Sequence, residues 1–234
     1  MAELTRLNKA IAQTGFCSRR EADKFIEKGE VLVNGEKAVM GQQVSPNDSI
    51  SVKGKQLGSR KPPVYIAFNK PVGVTCTTDS RIKNNIIDYI DYSERIFNVG
   101  RLDKDSEGLI LLTNDGDIVN KMLRAENGHD REYIVTVDKK INDDFIYKMG
   151  RGVPILGVMT MPCKVRKIND KSFSIILKQG LNRQIRRMCS HLGYEVVSLK
   201  RVRIMNISLG NLPYGKWRYI TPKELKDIEK LLDR

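Results

Sequence analysis

The residues of this chain best suited to chemistry lie in Gly100–Thr113, GRLDKDSEGLILLT, where Asp103 sits between Arg101 and Lys104 just before the apolar run Leu109-Ile110-Leu111-Leu112. A carboxylate held among cations stays ionised at neutral pH, and at the mouth of an apolar strand it is placed to act as nucleophile or base. Two further candidates follow. Tyr133 belongs to Arg131-Glu132-Tyr133, at the start of a strand whose alternation puts Tyr133, Val135 and Val137 on one face. After Gln179-Gly180-Leu181, the residues Ile185, Met188, Cys189 and Leu192 recur at helical spacing and must face the core. Asn182 is the expected cap of that helix and Gly193 its stop. At about 100° per residue, Arg183 and Arg187 then point away from the apolar stripe, where phosphates could reach them, while Arg186 lies on its flank. A half-buried arginine needs an anionic partner, and Asp103 is the natural one. An ordinary structural ion pair would leave the same periodicity.

The elements that must position these groups fall into two domains. Residues 64–234 read as strands near Val64–Asn69, Gly108–Thr113, Glu132–Val137, Cys163–Ile168, Phe173–Lys178 and Val202–Leu209. Helices are expected near Asn84–Asp91, Asp117–Ala125, Asn142–Gly150, Asn182–Leu192 and Pro222–Leu232. Strands outnumber the helices between them, which favours an α+β domain on a mostly antiparallel sheet. Residues 1–55 form a small unit of their own. Leu7, Ala10, Ile11 and Thr14 mark a first helix, and Ser18 with Glu21 forms a capping box for a second, which Gly29 ends. Asn34-Gly35 then makes a hairpin turn after Val31–Val33, and Ser49–Val52 closes the unit. Its outer face carries Arg6, Lys9, Arg19, Arg20, Lys24 and Lys28. Residues 56–63, within the Gly, Ser and Pro-rich stretch GKQLGSRKPP, are the expected linker.

Charge narrows the partners. The net charge is +13, and Lys178–Arg218 holds nine basic residues against the single acid Glu195, so eight of those charges lie in one stretch. Such concentration fits a polyanion rather than a scattered lysine surface. No stretch reaches the roughly 18–20 apolar residues of a membrane span, and MAELTRLNKA lacks the core of a signal peptide, so a cytoplasmic protein is expected. The cysteines Cys17, Cys76, Cys163 and Cys189 are far apart without a C-x-x-C pair, which excludes a zinc ribbon or a disulfide framework, and no metal site is expected. His129 and His191 read as structural or solvent-facing. Gly210–Lys216 matches a phosphate-loop spacing, but Trp217 stands where Ser or Thr would hold Mg²⁺ and the following residues look extended.

The segment RLNKAIAQTGFCSRREADKFIEKGEVLVNG resembles the S4-type RNA-binding domain. Behind it, Lys70-Pro71-Val72-Gly73-Val74, GRLDKDSEGLILLT, REY and GLNRQIRRM, in this order, resemble the pseudouridine synthases of the RsuA family. The ending, with Val153–Gly157 and RVRIMNISLGNLP, is similar to members that modify large-subunit ribosomal RNA. The resemblance implies isomerisation of a uridine in structured RNA without cofactor or metal, on a pseudouridine synthase catalytic domain. It gives Asp103 the family's essential aspartate, as nucleophile on the ribose or as the base removing its 2′ proton. It gives Tyr133 the tyrosine that packs on the uracil, and Arg186 the arginine that pairs with the aspartate. Arg101, Leu102, Lys104, Arg183, Gln184, Ile185 and Arg187 are then placed to hold the displaced nucleotide and its phosphates, and Lys70–Gly73 reads as structural support. Large-subunit ribosomal RNA is the expected partner of a monomer, with a transfer RNA hairpin as the alternative. A rival reading is a non-catalytic S4-type protein of ribosome assembly; the joint presence of Asp103, Tyr133 and Arg186 argues against it.

Overall fold

A computed structural model describes residues 4–123 and 128–232 of the chain. They divide into two compact units, one running to Pro63 and including Ser93–Arg95, the other formed by Val64–Tyr92 with Ile96 onward.

The first unit opens with β1 (Thr5–Arg6), α1 (Leu7–Gln13) and α2 (Arg19–Glu27). Ser18 caps α2 as expected: its hydroxyl accepts from the Glu21 N–H at 3.2 Å, and the Glu21 carboxylate accepts from the Ser18 N–H at 2.8 Å. The strands β2 (Val31–Val33), β3 (Glu36–Lys37), β4 (Gln43–Val44), β5 (Ile50–Val52) and β6 (Lys55–Gln56) complete it. β2 lies between β3 and β5, with β6 beyond β5, while β1 pairs with β4. Leu7, Ile11, Ala22, Ile26, Val31 and Val52 form the core beneath. Because β6 pairs with β5 and Leu57 packs on this core, the first two residues of the expected linker belong to the unit itself.

The second unit contains β7 (Tyr65–Lys70), α3 (Ile86–Ile90), β8 (Phe97–Val99), β9 (Glu107–Thr113), α4 (Gly116–Leu123), β10 (Arg131–Val137), α5 (Asp143–Arg151), β11 (Pro154–Ile155), β12 (Val158–Met159), β13 (Lys164–Lys167), β14 (Ser172–Leu177), α6 (Gln184–His191), β15 (Val196–Ile204), β16 (Ile207–Ser208), β17 (Trp217–Tyr219) and α7 (Pro222–Leu232). Among the described residues nine strands make one sheet in the order β13-β14-β10-β15-β9-β7-β17, with β16 on β15 and β8 on β9. All its strand pairs are antiparallel except β15 with β9, which confirms the mostly antiparallel α+β domain. The sequence expectation for Val202–Leu209 merged the end of the long central β15 with β16, which turns back to pair with it. Sequence reading gave no strand at β8, β11 or β12, each only two or three residues long, whereas β17 falls on residues it read as extended. The expected extension of α4 to Ala125 ends outside the described residues.

Two cores explain the two apolar patterns. β10 and β14 alternate, burying Val135, Val137, Phe173 and Ile175 against Phe145 of α5 and Met188 of α6. β9 is buried on both faces. Leu109 and Leu111 meet Ile118 of α4 and Ile228 of α7, while Ile110 and Leu112 meet Ile86 of α3. A strand covered on both sides reads as a continuous apolar run.

The last helix is tied to the sheet edge by a charged latch. Arg218 on β17 donates two hydrogen bonds of 2.8 Å to Glu224, which also accepts from the Thr221 N–H at 2.9 Å and so closes the N-terminus of α7. The Arg218 guanidinium holds Glu224 down at about 2. A depressed folded pKa contributes stability above the ordinary carboxylate range that disappears as pH falls through it toward about 2. Glu224→Gln should therefore lower stability near neutral pH by about 1 kcal/mol. In urea unfolding, the difference from wild type should shrink steadily on acidification; a pH-independent difference would contradict the latch.

Candidate active site

The loop Gly100–Ser106 joins β8 to β9, an antiparallel pair in which Val99 lies opposite Leu111. Its backbone is pinned from several sides. Ser106 N–H donates to the Asp103 carbonyl at 3.1 Å, and Gly73 N–H to the Lys104 carbonyl at 2.7 Å. Leu102 N–H reaches Cys76 Sγ at 3.4 Å, and Arg201 Nη1 reaches the Arg101 carbonyl at 3.4 Å. Lys70 lies fully buried behind this loop and donates to the carbonyls of Pro71 and Val74 at 2.7 and 2.9 Å, so its ammonium holds the turn that follows it. Burial lowers the Lys70 pKa, with Cys76, Asp105 and Asp103 pulling it the other way.

Asp103 and Tyr133 line one cleft of about 780 Å³, together with Arg101, Leu102, Ser106, Arg131, Lys178, Arg183, Gln184, Ile185, Arg186 and Arg201. Tyr133 arrives from β10, where it faces Ile175 on one side and Arg201 on the other.

The arginine assignment from sequence is corrected. Arg186 does not pair with Asp103. Its Nη2 donates to the Asp105 carbonyl at 2.9 Å and to Ser106 Oγ at 3.2 Å, its Nη1 to the Val196 carbonyl at 3.3 Å, and its Nε faces Asp105 Oδ2 at 3.5 Å. It is a tether between α6, β15 and the loop. The arginine beside Asp103 is Arg183, with Nη1 3.5 Å from Oδ2, and the same guanidinium gives two hydrogen bonds to Asp105 at 3.2 and 2.9 Å. The reason is local. α6 begins at Gln184, and Arg183 precedes it in the left-handed region with φ 50°, so its side chain does not follow the helical wheel. Asn182 is not the cap either; its carbonyl and side chain accept from Arg187 at 3.0 and 3.2 Å. Gly193, with φ 79°, does stop the helix.

The remaining expected RNA-binding residues divide. Arg101, Lys104 and Arg187 are exposed, but Lys104 and Arg187 do not line the Asp103 cleft. Gln184 is buried and its amide serves the protein, accepting from the Leu181 N–H and donating to Gln179. Leu102 and Ile185 are core residues that also form cleft wall. In the first unit Arg6, Arg19, Arg20, Lys24 and Lys28 are exposed, and Lys9 is half-buried.

Sequence reading missed Arg131 and Arg201. Arg201 is only 3% exposed, its Nε donates to the Leu109 carbonyl at 2.7 Å, and its Nη2 has no partner among the described residues. Burial lowers the Arg131 pKa. The basic stretch Lys178–Arg218 gave no sign of Arg201, because it contains equally basic residues with quite different tasks. Arg203 pairs with Glu132 at 2.9 Å and Arg218 with Glu224 at 2.8 Å. His129 also lines the cleft, and burial lowers its pKa. Among the described residues no cluster of His, Cys, Asp and Glu could hold a metal ion, and no helix is long and apolar enough to cross a membrane. Trp217 opens β17, so no phosphate-binding helix follows Lys216.

Comparison with known proteins fits this architecture. The family described as RNA pseudouridylate synthase matches residues 64–191, and the S4 domain matches residues 5–50. A dual-specificity RNA pseudouridine synthase RluF from Shigella flexneri is 56% identical over 97% of this chain and 79% of its own length. A ribosomal large subunit pseudouridine synthase B from Bacillus subtilis is 36% identical, over 98% of both chains. A crystal structure of a pseudouridylate synthase superposes with TM-score 0.69 at 30% identity, covering 97% of this chain and 99% of the other. The protein is thus an RNA-modifying isomerase with an appended RNA-binding domain. It belongs to the RNA pseudouridylate synthase family, in the RsuA branch.

The two neighbouring arginines of α6 should behave differently on substitution. Arg186→Met removes charge-assisted hydrogen bonds to both the loop and β15 and should cost about 1.5–3 kcal/mol in urea unfolding. Arg187→Met, at an exposed position, should stay within about 0.5 kcal/mol of wild type. Equal costs would show that Arg186 is no tether.

Proposed function

We propose that this isomerase converts a uridine of large-subunit ribosomal RNA to pseudouridine in the cleft around Asp103, as a cytoplasmic monomer that needs no cofactor. The observation that carries this reading is the meeting of Asp103, Tyr133 and Arg183 in a single cleft at the loop before β9. The target base must leave its stack to enter, which is cheapest in a loop or bulge. The C1′–N1 bond then breaks, the uracil turns, and C5 joins C1′; the proton that leaves C5 is balanced by one taken up at N1. Asp103 acts on the ribose, as nucleophile or as the base at the 2′ position. Tyr133 offers its ring to the uracil and its hydroxyl to proton transfer. Arg183, rather than Arg186, orients the aspartate. Arg101 and Lys178 stand at the cleft to receive phosphate.

A second RNA is a transfer RNA hairpin. The name of the Shigella flexneri relative, a dual-specificity RNA pseudouridine synthase, is compatible with more than one RNA substrate. In either case the exposed Arg19, Arg20 and Lys24 on α2 supply sequence-independent phosphate contacts.

The test is conversion of ribosomal and transfer RNA by wild type and Asp103→Asn, read by chemical mapping of pseudouridine. The amide keeps the shape and loses the charge, so product should vanish while RNA affinity stays nearly unchanged. Turnover above a few per cent of wild type would exclude Asp103 as the reacting group. A second measurement addresses the first domain. Arg19→Ala, Arg20→Ala and Lys24→Ala together should weaken RNA binding and flatten log K against log salt by roughly 0.7–0.9 for each phosphate no longer neutralised. An unchanged slope would remove α2 from the RNA interface.

A further inference from the structure

Asp103 and Asp105 stand two residues apart on one loop, and one guanidinium serves both. Arg183 grips Asp105 with two hydrogen bonds, Nη1 to Oδ1 at 3.2 Å and Nη2 to Oδ2 at 2.9 Å. It approaches Asp103 only through Nη1, 3.5 Å from Oδ2, and among the described residues the Asp103 carboxylate accepts no hydrogen bond. The bidentate fork, the stronger geometry for an arginine and a carboxylate, is therefore given to the neighbour of the reacting group.

We propose that Asp105 is a positioning residue for the isomerisation: it captures Arg183 and so keeps the guanidinium beside Asp103 without letting it chelate that carboxylate. The assignment rests on the reading of Asp103 as the reacting group. The two demands on Asp103 conflict. It needs a nearby cation to hold its charge and orientation, yet a carboxylate bound by both arms of an arginine must break charge-assisted hydrogen bonds before it can attack or accept a proton. A second carboxylate two residues on resolves the conflict. Asp105 is well placed to win the arginine. Arg186 adds its Nε at 3.5 Å from Asp105 Oδ2 and fixes the backbone there by donating to the Asp105 carbonyl at 2.9 Å. Arg183 also sits at φ 50°, a region sparsely used by residues other than glycine, and such a conformation persists when the surroundings over-determine it. Its grip on Asp105 is one such determinant. The same hydrogen bonds hold Asp105 below the usual carboxylate range.

The experiment compares kcat and KM of wild type, Asp105→Asn, Asp105→Glu, Arg183→Lys and the double variant Asp105→Asn with Arg183→Lys, all on one RNA that wild type converts, with thermal melting of each protein. Asp105→Asn should lower kcat at least tenfold. Its KM should stay level or fall, because a negative charge leaves a surface that meets phosphates. Asp105→Glu keeps the charge and should restore most of the activity. Arg183→Lys, whose single ammonium cannot bridge two carboxylates, should also reduce kcat, and the double variant should be no worse than the weaker single one, as coupled residues behave. Where Asp105→Asn fails to melt cooperatively, the comparison of Arg183→Lys with Asp105→Glu carries the test alone. Unchanged kcat in either Asp105→Asn or Arg183→Lys, reductions that multiply in the double variant, or a defect confined to KM would overturn the assignment. Absence of product from the wild-type protein on any RNA would instead overturn the reading of Asp103 on which it rests.

Discussion

The close approach of β9 to β15 is the constraint on which the site depends. These two strands form the one parallel pair of the large sheet among the described residues, with Gly108 opposite Arg201 and Glu107 opposite Lys200. Gly108 has φ 102°, and a Cβ there would run into the backbone of Arg201, so only glycine permits the approach. The placement of the residues around Asp103 follows from it. Gly108 lies two residues after Ser106, so the approach fixes where the Asp103 loop ends. Arg201 comes from the other side of the same pairing and binds the carbonyls of Leu109 and Arg101. α6, which leads into β15, is brought beside the loop, within reach of its acids. Tyr133 follows because β10 is the neighbour of β15 on the other side and holds Tyr133 against Arg201.

Electrostatics then sorts the basic residues that the sequence supplies in excess. A net charge of +13 draws RNA from any direction, but attraction alone would not build a site. Within the second unit, acids pair with some of the cations: Asp105 holds Arg183, Glu132 holds Arg203 and Glu224 holds Arg218. Carbonyls hold others, as Pro71 and Val74 hold Lys70 and Leu109 holds Arg201. Others, including Arg101 and Lys104, are exposed at the surface.

Much of this was legible in the residues. The capping box of α2, the alternation of β10 and β14, the unbroken apolar run of β9 and the order of four motifs each left a local signature, and the structure carries them all. Asp103 and Tyr133 were legible as members of one site through the resemblance to the pseudouridine synthases. The arginine partner was not. Helical periodicity assigns directions only to residues inside a helix, and Arg183 lies one position before α6 in a left-handed conformation, which nothing in GLNRQIRRM announces. Arg201 was hidden for a different reason. Its role comes from bonding to Leu109 of β9 across 92 residues of chain, and its neighbours in sequence, Lys200 and Arg203, are equally basic. Lys70 shows the converse. Proline and glycine marked its turn, and burial of the ammonium among carbonyls is what such a turn needs.

The division of labour between Arg183 and Arg186 shows how the start of a small helix can serve folding and chemistry together. Arg186 makes contacts whose value is insensitive to what occupies the cleft: backbone carbonyls of Asp105 and Val196 and the hydroxyl of the fully buried Ser106. Such contacts fix the loop independently of any ligand, and on the reading proposed for Asp103 this pre-fixing is what lowers a barrier without reorganisation. Arg183 pairs with the carboxylates of Asp103 and Asp105 and is exposed, so its energy does depend on the ligand. Solvent screening weakens its pairs. Rigid tether and responsive guanidinium thus sit three residues apart, and they differ in kind because one lies within the helix and the other just outside it.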